Sequence, residues 1–327
     1  MTSGVQILEW RDGAEVRPPD DLAFALSDPR TIVWVDLAGA DPAVLHDLAD
    51  QVGLDPRAVE DALTPGERPK ASRHGDQFFV TCHASELVDD SPQLHDSRLV
   101  LHQVSAFALP HGVLTVRADD RFSLDGVRDR LRERPDLIAA GAAGLIHTLV
   151  DLVVDSHFDT IQEVDDVAED VETDLFADRL PSGRVMQASL YRLHKELVHL
   201  RRAVLPLREV VGTLRRQFGE SGPLAADFDD LYDHVMRASE WTESLRDMVS
   251  ALFETHVSLL DARLNVVMKK LAGWAAVIAV PTAITGWFGQ NVPFPGNGEP
   301  LGLVLSLGMI VALTLVVYVM LRRNDWI

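Results

Sequence analysis

Cysteine is nearly absent from this chain, since Cys82 is the single one among 327 residues. No disulfide can therefore form within the chain, which fits a reducing cytoplasm. Basic residues are also scarce, because 30 Lys and Arg face 50 Asp and Glu, giving a net charge of −20. That sign argues against a nucleic-acid partner. The first ten residues lack a basic segment followed by an apolar core, so we predict no cleaved signal peptide.

Catalytic motifs are missing from the sequence as well. It has no Gly-rich phosphate loop, no nucleophile elbow and no H-E-x-x-H pattern, so we expect neither an enzyme nor a prosthetic group. Cys82, His83 and His95, with Asp89 and Asp90 nearby, match no structural zinc spacing. A strand with chance polar neighbours explains these residues better, and we predict no metal site there.

The C-terminal end contains two long uncharged segments, at positions 271–289 and 301–321, with Glu299 the only charge between Lys270 and Arg322. Each segment is close to the roughly 20 residues that a helix needs to cross a bilayer. We therefore predict two transmembrane helices joined by a short extracytoplasmic loop at 290–300.

The basic residues that flank these segments indicate their orientation. Lys269 and Lys270 precede the first segment, and Arg322 and Arg323 follow the second. Because basic residues prefer the cytoplasmic side, we predict a multi-pass protein of the cell (inner) membrane with both termini in the cytoplasm. Residues 265–327 carry four basic and two acidic side chains, so residues 1–264 carry −22. An acidic region of this kind attracts cations near a pore. The alternative is an acidic surface that is solvated and has no such role.

The first 123 residues alternate strand and helix signals, which predicts a cytoplasmic α/β domain. Apolar runs such as TIVWVDL and QFFVTCHASEL indicate buried strands, and the Asp12-Gly13 pair indicates a hairpin turn. Two helices are expected after Asp41 and Asp55, each with an N-cap Asp and a Pro in the first helical position.

Long helices follow. Positions 124–223 form a predicted helical hairpin region, whose acidic face we expect to pair with basic residues between Arg184 and Arg216. Positions 224–270 form a predicted stalk helix that continues into the first span. A seam of alternating steps of four and three suggests coiled-coil packing against copies of the same chain: Leu231, Val235, Ala238, Thr242, Leu245, Val249, Leu252, His256 and Leu259.

The tripeptide Gly289-Gln290-Asn291 ends the first span and follows LNVVMK and PTAITGWFG. With LDPRAVEDALTPGERPKASRHGDQFFV and LYRLHKELVHLRRAVLPLREVVGTLRR upstream, the chain resembles the CorA metal-ion transporter superfamily, whose hallmark there is Gly-Met-Asn. The resemblance covers nearly the whole chain. It implies an α+β fold with a cytoplasmic α/β domain, long stalk helices and two C-terminal transmembrane helices, arranged as a funnel of five subunits with a cytoplasmic tail at 322–327.

Steps of three and four residues along the first span define one face that resembles the family's gate and pore positions: Asn265, Met268, Leu271, Ala275, Ala279, Thr282, Gly286 and Gly289. Met268 and Leu271 would form an apolar collar that gates by dewetting. At the mouth, Asn291 would offer neutral amide oxygens to a hydrated ion, with Gly289 and Gln290 completing the selectivity filter. Packing alone is the alternative for each residue taken singly.

Glu254, eleven residues before Asn265, resembles a stalk acid that the family uses for regulation. Asp261 is a second candidate for a regulatory metal site. The alternative for both is that they are solvated acids on the helix surface.

The function that the resemblance implies is uptake of Mg²⁺, or of Co²⁺ or Ni²⁺, by a homopentamer in the lipid bilayer. Gln290 replaces the usual Met, which leaves a zinc-type transporter, with or without proton coupling, as an alternative. A membrane-anchored cytoplasmic sensor or scaffold is the alternative from another class.

Overall fold

The computed structural model describes residues 4–17, 25–26, 28–39, 42–89, 97–177, 183–220, 222–290, 293, 296 and 298–327. The chain divides into two compact units, Met1–Ala251 and Leu252–Ile327. The finer division into segments proposed from the sequence stays a prediction.

A seven-stranded mixed sheet forms the centre of the first unit. Its strands are β1 Val5–Arg11, β2 Ala14–Val16, β3 Thr31–Ala38, β4 Lys70–His74, β5 Gln77–Asp89, β6 Ser97–Leu109 and β7 Gly112–Arg117. They lie in the order β2-β1-β3-β7-β6-β5-β4. Only β3 and β7 pair in parallel. The predicted hairpin is confirmed, because Asp12 and Gly13 turn between β1 and β2 with φ of 53° and 81°. One short strand, β4, was missed by sequence reasoning.

The helices of the described chain include those that the sequence predicts, whereas two short helices, at 125–133 and 135–139, were not predicted individually. The helices are α1 Pro42–Val52, α2 Pro56–Leu63, α3 Asp125–Glu133, α4 Pro135–Ala139, α5 Ala142–Phe176, α6 Gly183–Leu214, α7 Ala225–Phe288 and α8 Pro300–Arg323, with a π-helical turn at Arg215–Gly219. Asp55 caps α2 as predicted, because its carboxylate accepts from the Arg57 and Ala58 amides at 2.9 and 3.4 Å. The other predicted cap, Asp41, lies outside the described residues.

Two apolar layers enclose the sheet of the first unit. On one side, Leu45 of α1 and Val59 of α2 share a buried cluster with Phe79 and Phe107. On the other side, α5 supplies the predicted apolar stripe, and Ile146 and its neighbours are almost fully buried against β5 and β6. The sheet is therefore covered on both faces, which is why its central strands are continuously apolar.

The seam along α7 has a different partner from the one expected. Ala238, Leu245 and Val249 are at most 2% exposed and pack in one cluster with Leu197 of α6 and Ile161 of α5. The prediction that this part of the seam meets copies of the chain is therefore wrong for positions up to Val249. Buried leucine rows follow the same period whether the partner helix belongs to the same chain or to another.

The expected charge pairing between α5 and α6 is also different at several positions. Arg201 of α6 pairs with Glu243 of α7 at 2.7 Å, and Arg215 pairs with Asp229. Asp151 of α5 pairs at 2.7 Å with Arg130 of α3, which also contacts Asp155. At these positions, Arg201 and Arg215 therefore pair with acids of α7 rather than with the acidic face of α5.

Candidate functional site

Two helices of the structure are long and apolar enough to cross a membrane, by length and composition. They are α7, with a mean hydropathy of 1.5 over its most apolar stretch, and α8, with 2.6. None of the corresponding stretch of α8 is buried, so the apolar surface lies exposed in the single chain. An exposed helix of this composition is stable in a lipid environment, where apolar side chains need no covering.

Within the second unit, α7 contacts the C-terminal end of the chain at Gly273, which has no side chain. A Cβ on Gly273 would stand 2.9 Å from Ile327 Cγ1 and 3.1 Å from the Trp326 carbonyl oxygen. The Trp326 amide donates to the Leu321 carbonyl at 3.0 Å, which turns the tail back after α8. Small residues at such crossings allow close helix packing.

Each of the two helices has one stripe that is shielded from solvent. On α7 from Leu271 the partly or fully shielded positions are Gly273, Val277, Val280, Pro281, Ile284 and Phe288. On α8 they are Gly302, Ser306, Ile310, Thr314, Val317, Tyr318 and Leu321. The other positions of α8, and of α7 from Leu271 onward, are exposed.

The face of α7 that the sequence singled out lies away from this stripe. All of its members are exposed in the single chain, with Met268 at 57% and Leu271 at 66%. Because they recur every three or four residues of one continuous helix, they follow one side of it. The members are Asn265, Met268, Leu271, Ala275, Ala279, Thr282, Gly286 and Gly289. Their role in conduction stays a proposal.

Hydroxyl groups and a proline alter the backbone hydrogen bonding in the middle of the span. Thr282 Oγ1 donates to the Ile278 carbonyl at 3.0 Å, and Thr285 Oγ1 donates to the Thr282 carbonyl at 3.1 Å. Pro281 has no N–H, so the Val277 carbonyl lacks its usual helical donor. This turn is therefore the most polar part of the backbone in the predicted span.

Gly289 and Gln290 directly follow the C-terminal end of α7. The Gly289 amide donates to the Thr285 carbonyl at 2.9 Å, and the Gln290 amide donates to the Trp287 carbonyl at 3.3 Å. A Cβ on Gly289 would stand 3.0 Å from the Thr285 oxygen, so a larger residue there would be crowded. Asn291, the predicted centre of the filter, lies outside the described residues.

The two candidate regulatory acids, Glu254 and Asp261, are both exposed on α7. They are seven residues apart, which is about two turns, so they lie on one side of the helix. Among the described residues, no group of three or more His, Cys, Asp and Glu side chains is placed to hold a metal ion.

Sequence reasoning missed an apolar stripe on α7 that begins where the first unit ends. Phe253, Val257, Leu260 and Leu264 are 43–61% exposed, at steps of four and three. The sequence does contain this pattern: the stripe has the same heptad spacing as the seam at Leu252, His256 and Leu259, shifted by one residue. Exposed leucines and phenylalanines at this spacing are typical of a helix that packs against another subunit.

One serine–histidine contact in the first unit resembles a catalytic pair in its geometry. Ser85 Oγ lies 2.7 Å from His157 Nδ1 and 2.9 Å from Thr160 Oγ1. Burial lowers the pKa of His157 to about 3, and both side chains are almost inaccessible to solvent. A substrate could not reach this pair, so its role is structural. Cys82 and His83, adjacent on β5, point to opposite faces of the strand and cannot share a metal ion.

The chain is similar to known metal transport proteins over most of its length. It is 28% identical to the "Cobalt/magnesium transport protein CorA" of Thermotoga maritima, over 92% of this chain and 85% of that protein. It is also 28% identical to the "Zinc transport protein ZntB" of Yersinia pseudotuberculosis, over 83% of this chain and 81% of that protein.

The fold matches that of a solved structure, described as the complete structure of the CorA magnesium transporter from Methanocaldococcus jannaschii. The TM-score is 0.78 with 20% identity, and the match covers 100% of both chains. The predicted architecture of an α/β domain, long helices and two C-terminal apolar helices is thus confirmed. The family model for the CorA-like Mg2+ transporter protein matches residues 29–323. Because this match spans nearly the whole chain, the protein belongs to the CorA-like Mg2+ transporter family.

Proposed function

We propose that this chain assembles into a homopentamer that takes up Mg²⁺ across the cell membrane. Membership in the family makes divalent metal-cation transport the function class, and its relatives are transporters rather than enzymes. The choice of ion, the number of subunits, the orientation and the residues of the pathway are the proposal. The transported ion is a substrate, and no prosthetic group is needed.

The exposed surface of α7 from Phe253 onward supports this proposal most strongly. Its apolar stripe continues from Phe253 to Leu264 and on to Leu271, and no element of the described chain covers it. Full burial of a leucine side chain contributes about 1.5–3 kcal/mol, and these partly exposed leucines forgo a share of it in the single chain. Symmetric packing of α7 around an axis would bury this stripe, and five copies would leave a narrow central passage.

The passage would alternate apolar and polar rings. Met268 and Leu271 would form a collar that excludes water when narrow and so closes the pore. Asn265 lies one turn before the collar, and Thr282 lies in the polar turn next to Pro281. An ion that keeps its water could pass such rings without being held tightly.

The outer mouth would select the ion by its water shell. Mg²⁺ gives up water reluctantly, so the amide oxygens of Asn291 would contact a hydrated ion rather than the bare metal. Gly289 would leave backbone carbonyls accessible, and Gln290 would add a second amide. Neutral oxygens bind weakly enough for release, and two charges that cross an inward-negative potential gain about 4.6 kcal/mol per 100 mV.

The orientation and the segment boundaries form part of the same proposal. With Lys269, Lys270, Arg322 and Arg323 on the inner side, both termini would be cytoplasmic. Segments 1–123, 124–223 and 224–270 would then lie in the cytoplasm, where Glu254 and Asp261 would sense internal Mg²⁺.

Zinc transport is the second candidate. Gln290 departs from the family's usual Met, and the similarity to a zinc transport protein covers 83% of this chain. The same experiment that tests the proposal separates the two ions, since the measurement compares their fluxes directly.

The test is ion flux into proteoliposomes that contain the full-length protein. We expect saturable uptake of Mg²⁺ that increases with an inward-negative potential, and Asn291→Ala should abolish it without changing assembly. Asn297→Ala, in the same loop but outside the tripeptide, is the matched control and should retain flux. Uptake by a correctly assembled Asn291→Ala protein at the rate of the unaltered chain would contradict the proposed filter. A flux of Zn²⁺ that is driven by a pH gradient and exceeds that of Mg²⁺ would favour the second candidate.

A further inference from the structure

A large cleft in the first unit has no part in the proposed conduction pathway. Its volume is about 1120 Å³, and it lies between the end of the sheet and α6. The walls come from β5 and β6, from the loop after α2, from the loop after β7 and from α6. Small-molecule sites in proteins usually enclose about 300–1,000 Å³, so the cleft is large enough for such a ligand.

The cleft carries positive charge although the surrounding domain is strongly acidic. Arg68, in the loop after α2, and Arg202, on α6, both line the cleft, and both are exposed. In the part of the chain that the structure describes, neither guanidinium has an ion pair or a hydrogen-bond partner. The acids of the cleft are balanced by other groups, because Glu67 pairs with Lys70 at 2.7 Å and Asp119 pairs with Arg121 at 3.7 Å.

A buried imidazole points into the same cleft. His83 is 7% exposed and lines the cavity. The neutral ring can donate one N–H to an anionic oxygen.

Hydrogen bonds of Gln103 and Arg117 hold the two loops at the rim of the cleft in place. Gln103, which faces His83 across the strands, accepts from the Gly66 amide at 2.9 Å and so fixes the loop that carries Arg68. Arg117 forms a buried ion pair with Asp36 and donates to the Phe122 carbonyl. A rim positioned in this way loses little conformational entropy when a ligand binds.

The cleft also contains a pair of stacked aromatic rings. The rings of Phe122 and His102 are nearly parallel, at 20°, with centroids 6.1 Å apart, and both line the cavity. Aromatic faces of this kind stack with nucleobases, while arginines bind phosphate oxygens with two parallel hydrogen bonds.

We propose that this cleft binds a phosphate-bearing small molecule of nucleotide size. Arg68 and Arg202 would hold the phosphate groups, and His83 would donate to one of their oxygens. The Phe122 and His102 pair would support the base. This site is separate from the ion pathway and does not depend on the proposed ion selectivity.

The test is isothermal titration calorimetry of the full-length protein in detergent, with EDTA present so that metal chelation makes no heat. The probes are ATP, adenosine and inorganic phosphate. We expect saturable ATP binding that weakens as salt is added, at least about tenfold weaker binding of phosphate and no binding of adenosine. The double variant Arg68→Gln/Arg202→Gln should bind ATP at least about tenfold more weakly, because each lost charge-assisted hydrogen bond is worth about a factor of ten.

Arg208→Gln is the matched control, since Arg208 is exposed on α6 and does not line the cleft. It should leave ATP affinity within about twofold, the range expected for surface changes. His83→Gln, which keeps a hydrogen-bond donor, should weaken ATP binding less than the double arginine variant. The proposal is overturned by absence of saturable ATP binding, by adenosine or phosphate binding as tightly as ATP, or by an equal loss in Arg208→Gln.

Discussion

Two leucines on the same helix provide a direct test of which part of α7 packs within the chain and which part packs between chains. Leu245 is 2% exposed and belongs to the buried cluster with Leu197 and Leu200, whereas Leu264 is 61% exposed. We consider Leu245→Ala and Leu264→Ala in the full-length protein. The two changes remove the same atoms, so a difference between them reports the environment alone.

The size of the effect follows from burial. A Leu→Ala change at a closed site costs about 2–5 kcal/mol, and a domain of this size loses about 2–4 °C in Tm per kcal/mol. Leu245→Ala should therefore lower the Tm of the first unit by roughly 4–20 °C. Leu264→Ala should change this Tm little, because exposed substitutions stay within about 0.5 kcal/mol, but it removes one buried contact from every copy in the assembly.

Thermal unfolding followed by tryptophan fluorescence measures the first quantity, and light scattering after size exclusion at decreasing protein concentration measures the second. We expect Leu264→Ala to dissociate at higher concentration than the unaltered chain, and Leu264→Met, which keeps the volume, to behave normally. The reasoning is refuted if Leu264→Ala assembles normally, or if Leu245→Ala weakens assembly without lowering the Tm.

Further predictions concern selectivity, regulation and pH. Gln290→Met should change the ratio of Mg²⁺ to Zn²⁺ flux in proteoliposomes without abolishing either, because it removes an amide beside the proposed filter; an identical ratio would show that this position is silent. Glu254→Ala should leave uptake less sensitive to internal Mg²⁺, whereas Glu240→Ala, another exposed acid on α7, should not; superimposable inhibition curves would remove Glu254 from regulation. Burial lowers the pKa of His157 to about 3, so below pH 6.5 the unfolded chain binds a proton that the folded chain does not, and stability falls as the pH falls. Between pH 7.5 and 5 this costs roughly 2 kcal/mol of unfolding free energy; denaturant titrations should show a smaller loss for His157→Gln, and an equal loss would contradict the assignment.

Local rules predicted much of this fold. The Asp12-Gly13 hairpin, the Asp55 cap of α2 and the continuous helix from Ala225 to Phe288 all depend on interactions between residues close in the chain. β4 was missed because its sequence, KASRH, is short and polar and lies at the edge of the sheet. An edge strand has one neighbour only, so little apolar alternation is required of it.

The candidate site was predicted less completely than the fold. Helical spacing placed Asn265, Met268 and Leu271 on one side of α7, and their exposure in the single chain agrees with a surface left for a partner. The spacing of Arg68 and Arg202, more than a hundred residues apart, contains no sign that they line one cleft. Contacts of that kind depend on strand order and helix placement rather than on neighbouring residues.

The sequence by itself determined that two apolar helices end the chain, that a strongly acidic α/β domain precedes them and that one long helix connects the two. These features follow from hydrophobicity, charge and helical period, which are properties of short segments. Only the tertiary structure decided that the seam through Leu245 is buried inside the chain, while the stripe from Phe253 to Leu264 stays uncovered. The two rows have the same period and similar side chains, and they differ in burial, which depends on the whole packing of the chain and not on the local sequence.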